Sequence, residues 1–160
     1  MSEPNAAGIV LFRRGADGRV ELLLGHLGGP YYARKDEAAW TVPKGLLEPG
    51  EDLRAAAERE WREETGTPAP VGPYRALAPI RQSSRKLTQL YLVAGDVDAA
   101  TLQSNAFELE WPPRSGRRQS FPEVDRYAWY DLETAEVKLA KNLRPLVAQV
   151  RELLVGGGLD

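Results

Sequence analysis

The sequence predicts a mixed α+β layered domain, and three observations carry that reading. Short apolar, β-prone runs such as Gly8–Phe12 and Val20–His26 recur along the chain. One amphipathic stretch, Glu51–Thr65, interrupts them, and a largely helical segment, Val137–Leu154, follows the last. At 160 residues one domain over 1–160 is expected, with 1–6 and 155–160 frayed at its ends.

Taken in order, Gly8–Phe12 and Val20–His26 flank Arg13–Arg19, whose Asp17-Gly18 pair signals a hairpin. Gly28–Ala38 reads as a loop bearing Tyr31, Tyr32, Arg34 and Lys35, and Ala39–Val42 as a short strand that Pro43 stops. Pro49-Gly50 precedes the helix Glu51–Thr65, acids sit in its first turn, and Gly66 follows its end. Tyr74–Gln82 and Leu87–Val97 read as strands around the polar turn Ser83-Ser84-Arg85-Lys86. Phe107–Trp111 alternates apolar residues with Glu108 and Glu110, which suits a half-buried strand. Pro112–Pro122 reads as a loop carrying Arg114, Arg117 and Arg118, and Arg126–Tyr130 as the last strand. Pro145 starts a fresh helical segment at Asn142–Arg144, and Gly156-Gly157-Gly158 reads as a frayed tail.

Composition narrows the chemistry. There are no cysteines, which excludes disulfides, thiolate metal sites and a thiol nucleophile. The single histidine, His26, weakens any Ser-His-Asp or His-rich zinc reading and is assigned no role. A net charge of −2 gives no general attraction to nucleic acid or membrane. Met1 to Ala7 lacks a basic, then apolar, leader pattern, and no stretch is long and apolar enough to span a bilayer. A cytoplasmic location is expected, with Asp, Glu, Lys, Arg and Tyr left to do the chemistry.

The central helix carries an anomaly. At about 100° per residue with Glu60 at zero, Leu53, Ala57, Trp61 and Ala56 form an apolar stripe. Glu64, at about 40°, falls inside that stripe with Glu60, and Glu63, at about 300°, lies on its edge. Arg54, Glu58 and Arg62 make an ordinary solvated face of alternating charge. A solvated Glu-rich surface explains Glu58 well and Glu60 and Glu64 poorly. Burying like charges one helical turn apart costs several kcal/mol unless something positive compensates. Arg59 can serve one of them, and a hard divalent cation can serve all three, since carboxylate oxygens suit Mg²⁺ or Mn²⁺.

The residues Gly45 to Thr67 around this helix resemble the Nudix box, G-x5-E-x7-R-E-U-x-E-E-x-G-U, where U is bulky and apolar. All seven glycine and charged positions match across the 23 residues: Gly45, Glu51, Arg59, Glu60, Glu63, Glu64 and Gly66. Trp61 fills the first U with a ring larger than usual, and Thr67 replaces the second with a polar residue. Trp40-Thr-Val-Pro-Lys-Gly45 looks like the strand and turn leading into the box, and Trp129 fits the family's last strand. Phe107–Gly116 and Phe121–Asp125 resemble segments of a bacterial group within the family.

The resemblance implies an α/β/α sandwich with a mixed central sheet, the box as loop, helix and loop, and a C-terminal helix. It implies hydrolysis of a nucleoside diphosphate linked to another moiety, dependent on Mg²⁺, for which Mn²⁺ can substitute. By position, Glu60, Glu63 and Glu64 become metal ligands, joined by the Gly45 carbonyl, and Arg59 pairs with Glu51 to orient them. The general base is Glu60, Glu64 or a loop carboxylate, with Glu123 the leading loop candidate and Asp125 and Glu108 its alternatives. Lys44, Arg34, Lys35 and Arg81 are phosphate-binding candidates, as are Arg85, Lys86, Arg114, Arg117 and Arg118. Trp111, Tyr31 and Tyr32 are candidates for stacking on a nucleobase. Ser83 stands where the family's diadenosine-polyphosphate hydrolases carry a tyrosine, and Pro79 is too early for the ADP-ribose marker. The surrounding bases favour nucleoside triphosphates and dinucleoside polyphosphates over nucleotide sugars. A silent nucleotide-binding module, and a pyrophosphohydrolase of ADP-ribose, nucleotide sugars or capped RNA ends, are the rival readings. Many members of the family are homodimers, so self-association belongs to the expectation.

Overall fold

The structure, a computed structural model, describes residues 3–156. β1 (Ala6–Arg14) and β2 (Val20–Leu27) form an antiparallel pair. Asp17-Gly18 turns the chain between them, with Gly18 at φ 82°. β3 (Trp40–Thr41) pairs with β2, and β4 (Lys44–Leu46) with β1, just before α1 (Leu53–Thr65). β5 (Arg75–Ala76), β6 (Ile80–Ser83) and β7 (Lys86–Ala94) follow, and β7 lies parallel to β1 from Ala6↔Thr88 to Phe12↔Ala94. β8 (Ala106–Glu110) and β9 (Arg118–Pro122) make a separate antiparallel hairpin. β10 (Val124–Asp131) returns beside β2, giving the order β10-β2-β1-β7-β5 in a mixed sheet. α2 (Leu132–Lys138) and α3 (Pro145–Arg151) close the fold, and α3 runs into a π-helical turn at Glu152–Gly156.

The period-two alternation of the strands sorts their side chains onto two faces. Val10, Leu22, Leu24, Leu90 and Leu92 share one buried cluster with Leu132, Leu139, Leu146 and Val150 of the C-terminal segment. Ile9, Leu11, Leu23 and Val93 share the other with Ala56, Ala57 and Trp61 of α1. One sheet thus separates α1 from α2 and α3, the expected sandwich. Among the described residues no helix is long and apolar enough to cross a membrane.

Several expected boundaries move. Glu51 and Asp52 precede α1 rather than forming its first turn, and Asp52 is the N-cap. Tyr74–Gln82 breaks into β5 and β6 because Pro79 cannot donate to a ladder. The backbone freed at that break is satisfied by side chains: Gln89 donates to Leu77 O at 2.7 Å and Gln149 accepts from Ala78 N–H at 2.7 Å. The expected loop Pro112–Pro122 contains β9, and the last helical region starts early, at Leu132, capped by Asp131. Fraying does not reach residues 5 and 6: Ala6 is buried in β1, and Asn5 exchanges hydrogen bonds with the backbone of Leu87. Residues 1, 2 and 157–160, with most of the expected glycine tail, lie outside the described part.

The two departures inside the box prove to be partners. Trp61 is buried, and its indole N–H donates to Thr67 Oγ1 at 3.2 Å and Pro68 O at 3.1 Å. The larger ring fills the space, and the polar residue at 67 answers its N–H. Thr67→Val should cost about 1 kcal/mol in urea unfolding. In a Trp61→Phe background, which has no indole donor, the same change should cost less, since only the bond to the Thr65 hydroxyl is then lost. Equal costs in both backgrounds would refute the coupling.

Candidate active site

α1 is held at both ends, which fixes the direction of its glutamates. Asp52 Oδ1 accepts the Ala55 N–H at 2.7 Å, and Gly66, at φ 71°, closes the helix onto Arg62 O. Glu60 and Glu64 are half-buried and Glu63 is exposed, as the angular reading expects. β4 runs so close to Glu60 that a Cβ on Gly45 would overlap the Glu60 carboxylate. A side chain at that position would push the Glu60 carboxylate out of the place it occupies.

Arg59 gathers the surrounding acids. Its Nε and Nη2 form a two-pronged pair with Glu51 at 2.8 and 2.9 Å. Nη1 reaches Glu60 at 2.9 Å and Glu63 at 3.1 Å, and Nη2 also donates to Leu46 O at 3.0 Å. The side chains of Arg59, Glu51 and Glu60 are only 18, 14 and 12 % exposed. Arg59 therefore ties the loop before the helix, the end of β4 and two helical glutamates to one planar cation. Its guanidinium and the Glu48 N–H hold the Glu51 carboxyl down at about 2.

Glu64 is left out of that pairing. Burial, a side-chain hydrogen bond with Glu60 and the charge of Glu60 push its carboxyl up to about 9, against the pull of Lys44. Burial and the nearby Lys86 ammonium lower Lys44 to about 8, with Glu64 and Glu60 opposing them. Among the described residues no three acids or imidazoles are already gathered as a metal cage. Arg59 engages Glu60 and Glu63, and burial beside Glu60 disfavours the charged form of Glu64. The donor set still fits a hard divalent ion: it is all oxygen, and a cation would relieve the penalty of a charged Glu64 buried beside Glu60.

Of the loop acids, Glu123 has its backbone linked to the end of α1, and its side chain is exposed. Asn105 links the two, donating its N–H to Glu63 O at 2.8 Å and accepting the Glu123 N–H at 2.9 Å. The Tyr127 hydroxyl donates to Glu64 O at 2.5 Å from the neighbouring strand. The Asp125 carboxylate is instead engaged by His26 Nδ1 at 2.9 Å, and Glu108 pairs with Arg118 at 3.2 Å on the outer hairpin.

The candidate bases fall into two groups. Arg34 and Lys35 lie in the exposed 28–38 loop, which packs on the β8–β9 hairpin. Gly29 faces Phe107 there, Tyr31 meets Trp111 edge-on at 5.2 Å, and a Cβ at Gly28 would overlap Pro122 O. The hairpin's turn presents Arg114, at φ 62°, and Arg117, with Arg118 at its base, all exposed. Arg81 lies apart: it bonds the Ser83 and Ser84 carbonyls and lines a hollow of about 220 Å³ with Asn5, Arg85 and Leu87. His26 is the residue that sequence reasoning passed over. Its place on the same parity as Leu22 and Leu24 was the available signal of a buried polar group.

An acid-lined helix on one face of a mixed sheet, entered through a glycine strand, defines a Nudix fold. The chain belongs to the NUDIX domain family, whose model matches residues 3–150. It is 32 % identical over 123 residues to nucleoside diphosphate-linked moiety X motif 6 of Mus musculus, covering 74 % of this chain and 33 % of that protein. It is 46 % identical over 63 residues to the RNA pyrophosphohydrolase of Caulobacter vibrioides, covering 39 % of this chain and 31 % of the relative. The asymmetrical bis(5'-nucleosyl)-tetraphosphatase of Caenorhabditis elegans is 44 % identical over 59 residues, 37 % of this chain and 38 % of its own. The chain thus spans about a third of the length of these curated relatives. Among solved structures, a binary complex of the C. elegans Ap4A hydrolase shares the fold with a TM-score of 0.63 and 24 % identity, over 94 % of this chain and 98 % of that one.

Proposed function

We propose that the protein hydrolyses a phosphoanhydride bond in a nucleoside diphosphate linked to another moiety, with nucleoside triphosphates and dinucleoside polyphosphates as leading substrates. The half-buried Glu60–Glu64 pair, beside an Arg59 already committed to Glu51, is the observation that carries this reading. Glu60, Glu63, Glu64 and the Gly45 carbonyl would hold Mg²⁺, or Mn²⁺ in its place. The bound ion would screen phosphate charge and acidify water. Arg59 keeps the carboxylates aligned, and Glu51 fixes Arg59. Lys44, next to Gly45 and within the field of Glu60 and Glu64, is the candidate to take a phosphate oxygen. Glu123, linked to the end of α1 through Asn105, is the candidate to accept the proton of the attacking water. Arg34, Lys35 and Arg114 beside the Tyr31–Trp111 pair suit a substrate with several phosphates and a base. Arg81 is the weakest of the candidates, since its guanidinium is turned to its own turn.

The test is a panel with Mg²⁺: ATP and deoxynucleoside triphosphates, oxidised dGTP, Ap4A, ADP-ribose, nucleotide sugars and 5'-triphosphorylated RNA. Turnover of a triphosphate or Ap4A is expected, with KM raised about tenfold by Arg114→Ala. Preference for RNA ends would replace the substrate assignment. Tight nucleotide binding without turnover would replace hydrolysis by a binding role.

A further inference from the structure

His26 lies on β2 between its register partners Trp40 of β3 and Arg126 of β10, and it is fully buried. Its Nδ1 stands 2.9 and 3.1 Å from the two Asp125 carboxylate oxygens, and its Nε2 stands 2.6 Å from the Lys35 carbonyl. Both partners accept. A neutral imidazole offers one N–H, so it can answer only one of them and leaves a lone pair facing the other. The doubly protonated ring answers both. The charged and titratable groups around it are Asp125 and Arg126 on β10, Lys35 and Asp36 in the loop, and Lys138 on α2. Arg126 lies 3.6 Å from Asp125, and its guanidinium stands over Trp40, whose ring meets His26 edge-on. Asp36 accepts from the Trp40 indole and pairs with Lys138.

The Lys35 carbonyl has a particular importance. Within 30–35 the other backbone bonds are local, Tyr32 N–H to Gly29 O and Lys35 N–H to Tyr32 O. Among the described residues no other hydrogen bond fastens this segment to the sheet. It is the segment that presents Tyr31, Tyr32 and Arg34.

We propose that His26 is a positioning residue: as an imidazolium bridging the Asp125 carboxylate and the Lys35 carbonyl, it fastens segment 30–35 to the sheet and sets Tyr31 and Arg34 for substrate. This rests on the proposed function for its consequence in turnover, but the latch itself does not. His26 touches none of the residues proposed to hold the metal, and of the phosphate-binding candidates it meets only the backbone carbonyl of Lys35. Loss of its proton forfeits one of the two bonds and loosens segment 30–35.

Because this is the only histidine in the chain, its ring nitrogens can be assigned without ambiguity by long-range proton–nitrogen NMR. Two protonated ring nitrogens are expected while the loop is closed. Amide exchange in 30–35 should accelerate over the same pH interval in which the ring loses its proton. Asp125→Asn keeps an acceptor but removes the charge, so exchange in 30–35 should rise above that of the parent chain. His26→Gln should raise exchange in 30–35 about tenfold and raise KM about tenfold with kcat within twofold. If His26→Gln does not fold, Asp125→Asn and the unmodified chain carry the test. A bare ring nitrogen in the closed-loop state, or exchange that ignores both the titration and Asp125→Asn, would overturn the latch. A loop that behaves as expected in a protein that hydrolyses nothing on the panel would overturn the proposed function and leave the latch standing.

Discussion

Glu64→Gln is expected to lose at least about a thousandfold in turnover while the cation-free protein becomes more heat-stable. Both effects come from one carboxylate. Burial and Glu60 hold the Glu64 carboxyl far above its ordinary value, so the folded protein binds a proton there that the unfolded chain releases. Between the unfolded and folded values the native state holds more protons, and stability therefore falls as pH rises through that window. Glutamine removes the penalty and can still donate an amide hydrogen to Glu60. At pH 8 a gain of about 1–3 kcal/mol, roughly 3–8 °C in Tm, is expected. Glu63→Gln makes the control. Glu63 is 42 % exposed and free of that burial, so its amide should lose activity without raising Tm. Added Mg²⁺ should raise the parent's Tm increasingly as pH rises, because the ion competes with the proton at Glu64. Full activity in both variants would end the assignment of these carboxylates to a cation.

Arg59→Ala is the larger structural blow. It leaves Glu51 and Glu60 half-buried without their cation, and a broken ion cluster of this kind costs about 3–5 kcal/mol. A loss of about 6–20 °C in Tm follows for a chain of this size. Arg59→Lys keeps the charge but cannot engage Glu51 with two prongs while reaching Glu60, Glu63 and the Leu46 carbonyl, so an intermediate loss is expected. The acid limb supplies a second readout. Glu51 is held low by Arg59, so its contribution is complete above the ordinary carboxylate range and is lost as pH falls toward about 2. Arg59→Ala should flatten that part of the acid unfolding curve. If urea midpoints for the variant and the parent coincide, the cluster contributes nothing to stability.

How much of this was legible in the sequence depended on whether a residue's partner was near in the chain. α1 could be read because its stripe, its preceding Asp52 and its closing Gly66 are all local signals. The glutamates inside the stripe were visible for the same reason. β9 was hidden: Arg118-Gln-Ser-Phe-Pro122 is mostly exposed, and its strand character comes from pairing with β8. β4 is three residues long and owes its place to β1 and to the close approach of Gly45 to Glu60. Asp125 looked like another loop acid until the fold brought it to His26, 99 residues away. The bases defeated the sequence most completely. Arg34 and Arg81 look alike as isolated exposed cations, and only the packing of loops separates the one beside the hairpin from the one bonded to its own turn.

The parallel pairing of β1 with β7 also constrains the order of assembly. Ala6 meets Thr88, and the same end of β1 receives β4, so the centre of the sheet joins distant parts of the chain around the whole of α1. Contacts of such long sequence separation form late and slowly. The β1–β2 hairpin and α1 can form from neighbours, but Gly45 meets Glu60 only after β4 has found β1. A divalent ion that needs both should find its site completed near the end of folding. It should then act mainly as a brake on unfolding, leaving the refolding rate almost untouched.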